Sequence, residues 1–419
     1  MNSVKVPYGK GFQVAEIPDG LRLYRIEPKD VDGVSDPTSE IIRALENPIG
    51  NKGIEELRGM RKIVIVVSDL TRPVPNEIIL KVLLEKLKGI DIEESQITVL
   101  IGAGLHQPVP KEDYPRVVGS EIIKRVKVIS HDAHALDMLH QVGSSSLGTP
   151  IWVNKNYLEA DGRILVGMID PHQFAGFSGG AKGLSVGCCG EATIRANHAH
   201  LLDPEARLGR IEGNPAREDI DEIGGIVGIN LIINVVLNNH KKIVKAFAGH
   251  YLKAHRAGVQ LSRQLAEVRV RKKADIAIVS SGGYPKDLNL YQAQKGLRNA
   301  TLTIKEGGII ILCVECKKGA GDKRFVKGME AGNNPQEVVE AFKSHGFKMG
   351  FHKAFLWCHS LLHARVFLVS SGINEELAKI LHVKKMSDLQ TAINSALNEL
   401  PQAKVISFLP KANSVIPIN

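Results

Sequence analysis

The sequence lacks a long hydrophobic run and an apolar leader. Of its 419 residues 43% are hydrophobic, yet no apolar run reaches the roughly 18 residues that a membrane-spanning helix needs. Residues 1–5 contain no apolar core of the kind found in secretion signals. No internal repeat, coiled coil or low-complexity tract is present. We therefore expect a globular, cytoplasmic protein without a membrane contact, with more than one domain.

Cysteine is also scarce. The chain has five cysteines, and an odd number without a leader argues against a disulfide framework. Cys313 and Cys316 form a lone CxxC at the end of a strand-like run. A zinc site would need a second pair, or histidines at finger spacing, and neither is close. We interpret these two as thiols at a strand end, while Cys188 and Cys189 could pack against a neighbouring helix.

Basic residues outnumber acidic ones, which gives a net charge of +9 and an isoelectric point of about 9.1. A basic protein can bind nucleic acid, membranes or small anions. The dense basic clusters, such as residues 269–273, are short, and a solvated surface explains them more simply. We expect no nucleic-acid binding.

Strand and helix patterns alternate along most of the chain. Apolar, β-branched runs at 62–67, 96–101 and 163–169 predict buried strands, and apolar spacing predicts helices over 76–88 and 251–268. Such alternation favours an α/β class with largely parallel sheets.

A charged stretch around residue 272 marks a possible domain boundary. We expect an N-terminal α/β domain over residues 1–272 and a C-terminal α/β domain over 273–403. The tail, residues 404–419, could pair with either domain, and a return to the N-terminal one is our expectation.

Polar residues recur directly after four strand-like runs. Asp69 and Arg72 follow one run, His106 the next and His172 a third, while residues 284–295 follow a fourth in the second domain. In open α/β sheets, sites lie beyond the carboxyl ends of the strands. The recurrence predicts a shared site.

The stretch from residue 170 to 182 is the most informative one. It contains His172, Gly179, Gly180 and Lys182, so that a histidine, flexible backbone and a lysine leave one strand together. The lysine could be a charge for phosphate or a nucleophilic amine. It is not in a Walker A loop, which would place glycine directly before the lysine and serine or threonine after it.

Each candidate also has a simpler interpretation. A single histidine is usually structural, but His106 and His172 at strand ends are better candidates for acid–base work. Arg72 could bind an anion or pair with Asp69. Tyr291 and Lys295 share a helix face, which is either a solvated end or an anion clamp. Trp357 could be a core residue or a pocket wall.

With these residues in view, the sequence resembles the nickel-dependent lactate racemase family. The order and approximate spacing of five groups of residues agree over residues 60–360. The matching segments are Asp69-Leu70-Thr71-Arg72-Pro73, Gly104-Leu105-His106-Gln107-Pro108, residues 170–182, Ala196-Asn197-His198, and Gly283-Tyr284-Pro285 continuing to Tyr291-Gln292-Ala293-Gln294-Lys295.

The resemblance implies two α/β domains with the active site in the cleft between them. It also implies a nickel-pincer nucleotide, pyridinium-3-thioamide-5-thiocarboxylic acid mononucleotide carrying nickel, which dedicated maturation enzymes supply. Lys182 matches the lysine that holds this cofactor covalently, and His198 matches the nickel ligand. Asp69, Gly179 and Gly180 fit cofactor-binding or supporting roles.

The implied activity is that of an isomerase, a racemase or epimerase acting at C2 of a lactate-like 2-hydroxy acid. His106 and His172 match the paired acid–base histidines, and hydride leaves C2 and returns to its other face. The residues that match substrate-binding positions are Arg72, Tyr291, Gln292, Lys295 and Trp357. Two departures are Gln107, where arginine is frequent, and Val186, where proline is common. The alternative function is a non-catalytic carrier of a phosphorylated cofactor.

Overall fold

The computed structural model describes residues 2–345 and 350–418. By internal contacts the chain divides into two compact units. The central unit comprises residues 30–265. The terminal unit combines residues 1–29 with residues 266–419. Within the described ranges no helix is long and apolar enough to cross a membrane.

Both chain ends contribute strands to the terminal unit. Its first strands are β1 (Asn2–Tyr8), β2 (Gly11–Ile17) and β3 (Arg22–Arg25).

The elements of the central unit follow. Its strands are β4 (Ile63–Ser68), β5 (Ile97–Gly102), β6 (Lys127–Ser130), β7 (Leu139–Ser144), β8 (Pro150–Asn154), β9 (Gly162–Met168), β10 (Pro171–His172), β11 (Gly176–Phe177), β12 (Leu231–Leu237) and β13 (Ile243–Gly249). Its helices are α1 (Pro37–Glu46), α2 (Asn76–Lys88), α3 (Tyr114–Val118), α4 (Ile122–Arg125), α5 (Lys155–Leu158), α6 (Lys182–Ser185), α7 (Glu191–Ala199), α8 (Pro215–Val227) and α9 (Lys253–Ala266).

The remaining elements complete the terminal unit. Its later strands are β14 (Glu267–Arg269), β15 (Ala274–Val279), β16 (Ile304–Cys313), β17 (Arg365–Val369), β18 (Lys384–Met386), β19 (Val405–Leu409) and β20 (Ile416–Ile418). Its helices are α10 (Leu290–Thr301), α11 (Lys323–Met329), α12 (Pro335–His345), α13 (Phe351–His363), α14 (Glu375–Ile380) and α15 (Leu389–Glu399).

The central unit is built on a six-stranded sheet in the order β13-β12-β9-β4-β5-β6. All neighbours are parallel except β12 and β13. Strand β4 has the burial that is typical of a strand in a parallel sheet, since five of its six residues are buried. Ile63 and Ile65 pack into one core, whereas Val64 and Val66 pack into another on the opposite face. A strand that is covered on both faces has a continuously apolar sequence, as expected in a parallel sheet.

The terminal unit has its own six-stranded sheet, in the order β18-β17-β16-β15-β19-β3, and every pair is parallel. The prediction of an α/β fold with mostly parallel sheets is confirmed.

The expected domain boundaries differ from the structure at both chain ends. Strand β3 pairs with β19, and β19 pairs with β15, so residues 1–29 and the tail both belong to the terminal unit. The reason is that all five residues of β19 are buried and strands flank it on both sides. Strand β3 has no buried residue, so its sequence carries no strong apolar pattern to reveal this pairing.

Candidate active site

Three loops of the central unit follow the carboxyl ends of neighbouring strands in its sheet. Strands β9, β4 and β5 are neighbours and run parallel, so the segments that follow them emerge together. These segments carry Asp69 and Arg72, then His106, then His172. The carboxyl ends of parallel strands are the usual place for a site in this class of fold.

Asp69 and His106 form a close pair. His106 Nδ1 lies 2.7 Å from Asp69 Oδ2, and the other carboxylate oxygen accepts hydrogen bonds from the amide (3.1 Å) and hydroxyl (2.5 Å) of Thr71. Burial alone would raise the pKa of Asp69, but the bonds from His106 and Thr71 hold that pKa below its usual value. The carboxylate is therefore ionised and orients the imidazole through Nδ1.

His172 is oriented differently. It lies in the short hairpin of β10 and β11, and its Nδ1 accepts a hydrogen bond of 3.2 Å from the amide of Ala175. The ring of Phe174 packs edge-on against His172 at 4.8 Å and also against His198 at 5.0 Å between centroids. One phenyl ring thus separates these two imidazoles.

His198 lies in α7, which the neighbouring Asn197 ties to the core. The Asn197 amide donates to Ala216 O (2.9 Å) and to Asp219 Oδ2 (2.8 Å). Burial and the positive charge of Lys182 lower the pKa of His198 to about 3. His198 is therefore neutral at physiological pH, and neutral imidazole is the form that binds metal ions.

Two glycines shape the loop before Lys182. Gly179 and Gly180 have φ of 81° and 59°, a region that side chains rarely adopt. A Cβ on Gly180 would lie 2.9 Å from the ring of His255. The amide of Gly180 donates to Asn234 Oδ1 at 2.7 Å. The loop is therefore held close against Asn234 and His255. Helix α6 then begins at Lys182.

A buried ionic network supports this loop from behind. Arg217 donates to Gly179 O at 3.2 Å and forms a close ion pair with Asp221. Asp221 also binds Arg256 at 2.5 Å, and Arg256 donates to His255 Nδ1 at 2.8 Å. His255 Nε2 in turn donates to Ser178 O at 2.9 Å. Consecutive carbonyls of the loop are thereby fixed.

The sequence did not reveal this network. Arg217 and Asp221 are four residues apart on α8, a spacing that is typical of solvated surface pairs. Arg217 is in fact fully buried, and its charge is compensated by Asp221. The apolar face of α8 was the only signal available, and it does not identify a buried cation.

The other candidate residues lie in the terminal unit, at the start of α10. Asn289 caps this helix by accepting a 3.0 Å bond from the amide of Gln292, whose side chain is exposed. Burial and the charge of Asp322 raise the pKa of Tyr291 to about 12. The ammonium of Lys353, which the sequence analysis did not single out, lies 4.9 Å from the centre of the Tyr291 ring.

Trp357 packs as a core residue. It is fully buried, donates from its indole nitrogen to Leu381 O at 2.9 Å and packs edge-on against Phe325. Its position is explained by core packing, which was the simpler interpretation. Arg72 likewise does not pair with the Asp69 carboxylate through a hydrogen bond in the described structure. Its guanidinium donates to Thr71 Oγ1 at 3.1 Å.

The cysteines are structural within the described residues. All five are reduced and buried, and Cys188 and Cys189 belong to the apolar core beneath α7. Across residues 2–345 and 350–418, no three histidine, cysteine, aspartate or glutamate side chains gather into a group that could hold a metal ion.

Comparisons with known proteins extend over the whole chain. Residues 8–209 match the lactate racemase N-terminal domain, and residues 270–417 match the lactate racemase C-terminal domain. A lactate racemase from Thermoanaerobacterium thermosaccharolyticum is 33% identical over 425 residues, covering 99% of each chain. A lactate racemase from Lactiplantibacillus plantarum is 32% identical over 424 residues, covering 99% of this chain and all of the relative.

Two solved structures are similar. The lactate racemase apoprotein from T. thermosaccharolyticum superposes with a TM-score of 0.92 at 32% identity, covering all of both chains. A protein from Thermotoga maritima superposes with a TM-score of 0.68 at 19% identity, covering 93% of this chain and 99% of its own. At 19% identity, the second match supports a similarity of fold alone.

Proposed function

Because the chain belongs to the lactate racemase family, we propose that it is an isomerase that interconverts the enantiomers of lactate or of a closely related 2-hydroxy acid. The observation that carries this proposal is the pair of imidazoles at one edge of the central sheet. His106 is oriented by the Asp69 carboxylate and His172 by the Ala175 amide. Two oriented imidazoles can remove and return the hydroxyl proton of a 2-hydroxy acid.

The residues around Lys182 are compatible with a metal ion whose other ligands come from a bound cofactor. His198 is neutral and lies close enough to Lys182 to feel its charge, but no three potential metal ligands gather among the described residues. A nickel ion held at His198 therefore needs further donors from a bound group. Sulfur and nitrogen donors suit nickel(II). We propose that the group is a nickel-pincer nucleotide attached to Lys182 and supplied by maturation enzymes.

When bound, this group would supply the hydride chemistry that racemisation at C2 needs. The chain itself provides proton transfer and positioning. His106 can exchange a proton with the substrate oxygen through Nε2, since its Nδ1 is bonded to Asp69, and His172 is proposed as the second proton-exchanging group. Arg72, Gln292 and Lys295, with Tyr291, are proposed to hold the substrate carboxylate.

The contacts of four predicted site residues bear on their proposed roles. The Asp69 carboxylate bonds His106 and Thr71, which supports a role in orienting the acid–base histidine. Gly179 and Gly180 shape the backbone that precedes Lys182, which supports an indirect role in holding the cofactor. Trp357 is completely buried, which supports a structural role.

One experiment tests the enzyme proposal against the carrier alternative. The chain is co-expressed with the cofactor-making enzymes, and wild type, His106→Ala and His172→Ala are compared. Intact mass reports the adduct on Lys182, and chiral chromatography reports racemisation of lactate. We expect both variants to keep the adduct but to lose activity by about 10²–10⁴-fold, the usual contribution of general acid–base groups.

The control is His240→Ala, since His240 is exposed in the turn between β12 and β13. It should retain wild-type activity. Full racemisation by protein with unmodified Lys182 would refute the cofactor proposal. A bound adduct without racemisation of lactate or other chiral 2-hydroxy acids in wild type would favour the carrier.

A further inference from the structure

The two proposed acid–base histidines differ in their hydrogen-bonding partners. Nδ1 of His106 faces an ionised carboxylate, which can only accept a hydrogen bond. Nδ1 of His106 must therefore carry a proton. Its Nε2 can then be either unprotonated, in the neutral ring, or protonated, in the imidazolium. The bond to Asp69 is kept in both states, so His106 can gain and lose a proton at Nε2 without rearranging.

His172 has the opposite arrangement. Its Nδ1 faces the amide of Ala175, and a backbone N–H can only donate. Nδ1 must therefore be unprotonated, and the neutral ring carries its proton on Nε2. A ring in this tautomer can donate a hydrogen bond through Nε2 but cannot accept a proton there. To act as a base at Nε2, His172 must first give up the Ala175 bond.

The hairpin that carries His172 has limited freedom to move. Gly176 pairs with His172 across it, and a Cβ at Gly176 would lie 1.9 Å from Arg210 O. The guanidinium of Arg263 lies 5.7 Å from the centre of the Phe177 ring. Arg210, which is paired with Glu205, and Arg263 are cations on segments packed here, and Asp170 directly precedes the hairpin. Release of Ala175 is therefore accomplished most simply by rotation of the His172 ring.

We propose that Asp69 makes His106 ready for proton exchange in the resting protein, whereas the Ala175 amide latches His172 in the tautomer that cannot act as a base. This inference rests on the proposed function, and assigns Asp69 and the Ala175 amide as positioning groups. Only His106 is a competent base before substrate binds. His172 joins the reaction when its ring releases Ala175, so that Nδ1 can hold a proton and Nε2 can exchange one.

The proton balance of one turnover follows from this assignment. In one direction, His172 releases Ala175 and takes a proton from water at Nδ1, so that it is an imidazolium, while neutral His106 takes the hydroxyl proton of the bound enantiomer at Nε2. Hydride leaves C2 and returns to its other face, and His172 gives its Nε2 proton to the oxygen. One proton has then moved from one histidine to the other. The enzyme resets when the first histidine releases a proton to water and the second takes one up.

The test reads nitrogen protonation by ¹⁵N NMR of histidine-labelled protein without cofactor, with His106→Gln and His172→Gln used to assign the signals. At neutral to slightly alkaline pH we expect Nδ1–H for His106 and Nε2–H for His172. The same tautomer in both rings, or Nδ1–H in His172, would overturn the proposal. Because this measurement needs no turnover, it stays informative even if the protein proves not to racemise lactate.

Two variants separate positioning from general stability. Asp69→Ala removes the acceptor at Nδ1, so His106 should lose its Nδ1–H bias while the His172 signals stay unchanged. Thr71→Val, the matched control, removes the hydroxyl that donates to Asp69 and accepts from Arg72 but keeps the Asp69 carboxylate, and should leave both tautomers intact. Retention of the Nδ1–H tautomer in folded Asp69→Ala would contradict the proposal.

Loaded enzyme adds a kinetic readout. Asp69→Ala should lower kcat/KM by about 10²-fold or more, since a mispositioned acid–base group loses its contribution. The loss must be equal for both enantiomers, because the equilibrium constant of racemisation is one. With saturating lactate bound, His172 should lose its Nε2–H-only signature. If the ¹⁵N signals of His172 did not change when substrate binds to active enzyme, the proposed release of Ala175 would be refuted.

Discussion

Asn197, which is adjacent to the proposed nickel ligand His198, is held by several buried hydrogen bonds. It is fully buried, bonds Ala216 O and Asp219 Oδ2, and lies beside His198 on α7. The Asp219 carboxylate also accepts from Thr149 at 3.0 Å. The position of His198 thus depends on a carboxylate 21 residues further along the chain.

We expect Asn197→Ala to lower the free energy of unfolding by about 1–3 kcal/mol, because it removes a donor from a buried carboxylate. Urea titration measures this loss, and nickel analysis of loaded protein should show less metal retained. Arg195→Ala is the control on the same helix, since its ion pair with Glu191 is exposed and such pairs contribute about 0–1 kcal/mol. Equal losses in both variants would contradict the role of Asn197.

For single residues, the sequence predicted where the candidates lie in the fold better than which residues they contact. His106 and His172 were singled out because they follow strands, and the structure places both at one edge of the central sheet. The partner of His106 was not foreseen, since Asp69 was considered with Arg72, three residues away. Sequence spacing favours local pairs, whereas the observed partner lies 37 residues distant.

Among the elements, the β10–β11 hairpin depends most on one backbone conformation. Gly176 has φ of 70°, and its hydrogen atom occupies the place where a Cβ would meet Arg210 O at 1.9 Å. A side chain there therefore costs both backbone strain and displacement of the Arg210 segment.

We expect Gly176→Ala to destabilise the protein by about 2–5 kcal/mol, combining left-handed strain of about 1–2 kcal/mol with overpacking of about 1–3 kcal/mol. The matched control is Gly148→Ala, whose φ is 79° but which has nothing within 4 Å of the added Cβ. It should show the strain alone. Thermal unfolding of both variants tests this, and a Gly176 variant no less stable than the control would disprove the close approach.

Helices and strands with strong periodicity were predicted well. The helix expected over residues 76–88 is α2 (Asn76–Lys88), and the strand runs at 62–67, 96–101 and 163–169 correspond to β4, β5 and β9 within one residue at each end. The long helix expected over 251–268 is shorter: α9 ends at Ala266, and β14 follows. The end was missed because Glu267, Val268 and Arg269 pair with the distant strand β20.

For the whole molecule, buried neutral histidines link stability to pH. His131 and His255 are fully buried. Burial lowers the pKa of His131, and burial together with the charge of Arg217 places the pKa of His255 well below its usual value. In the unfolded chain both would titrate near 6.5. Below that pH the unfolded chain takes up protons that the folded chain does not.

The free energy of unfolding should therefore fall as the pH drops from about 7.5 to 5.5, by up to about 1.4 kcal/mol per pH unit for each such histidine. Unfolded carboxylates titrate near 4 and contribute little in this window. Urea midpoints at the two pH values measure the effect. His131→Gln should reduce the pH dependence, and exposed His240→Gln should not. A midpoint that is constant or rises on acidification would contradict it.

The sequence by itself determined the class of fold, the main strands and helices and the family, and it proposed the candidate site residues. Each of these depends on local patterns: which face of an element is apolar, which residues follow a strand, and which motif they form. The tertiary structure alone decided that Arg217 is buried, that Asp69 orients His106, that Ala175 holds His172, that Trp357 is core, and that both chain ends join one sheet. These facts depend on contacts between residues far apart in the sequence, and no periodicity encodes such contacts.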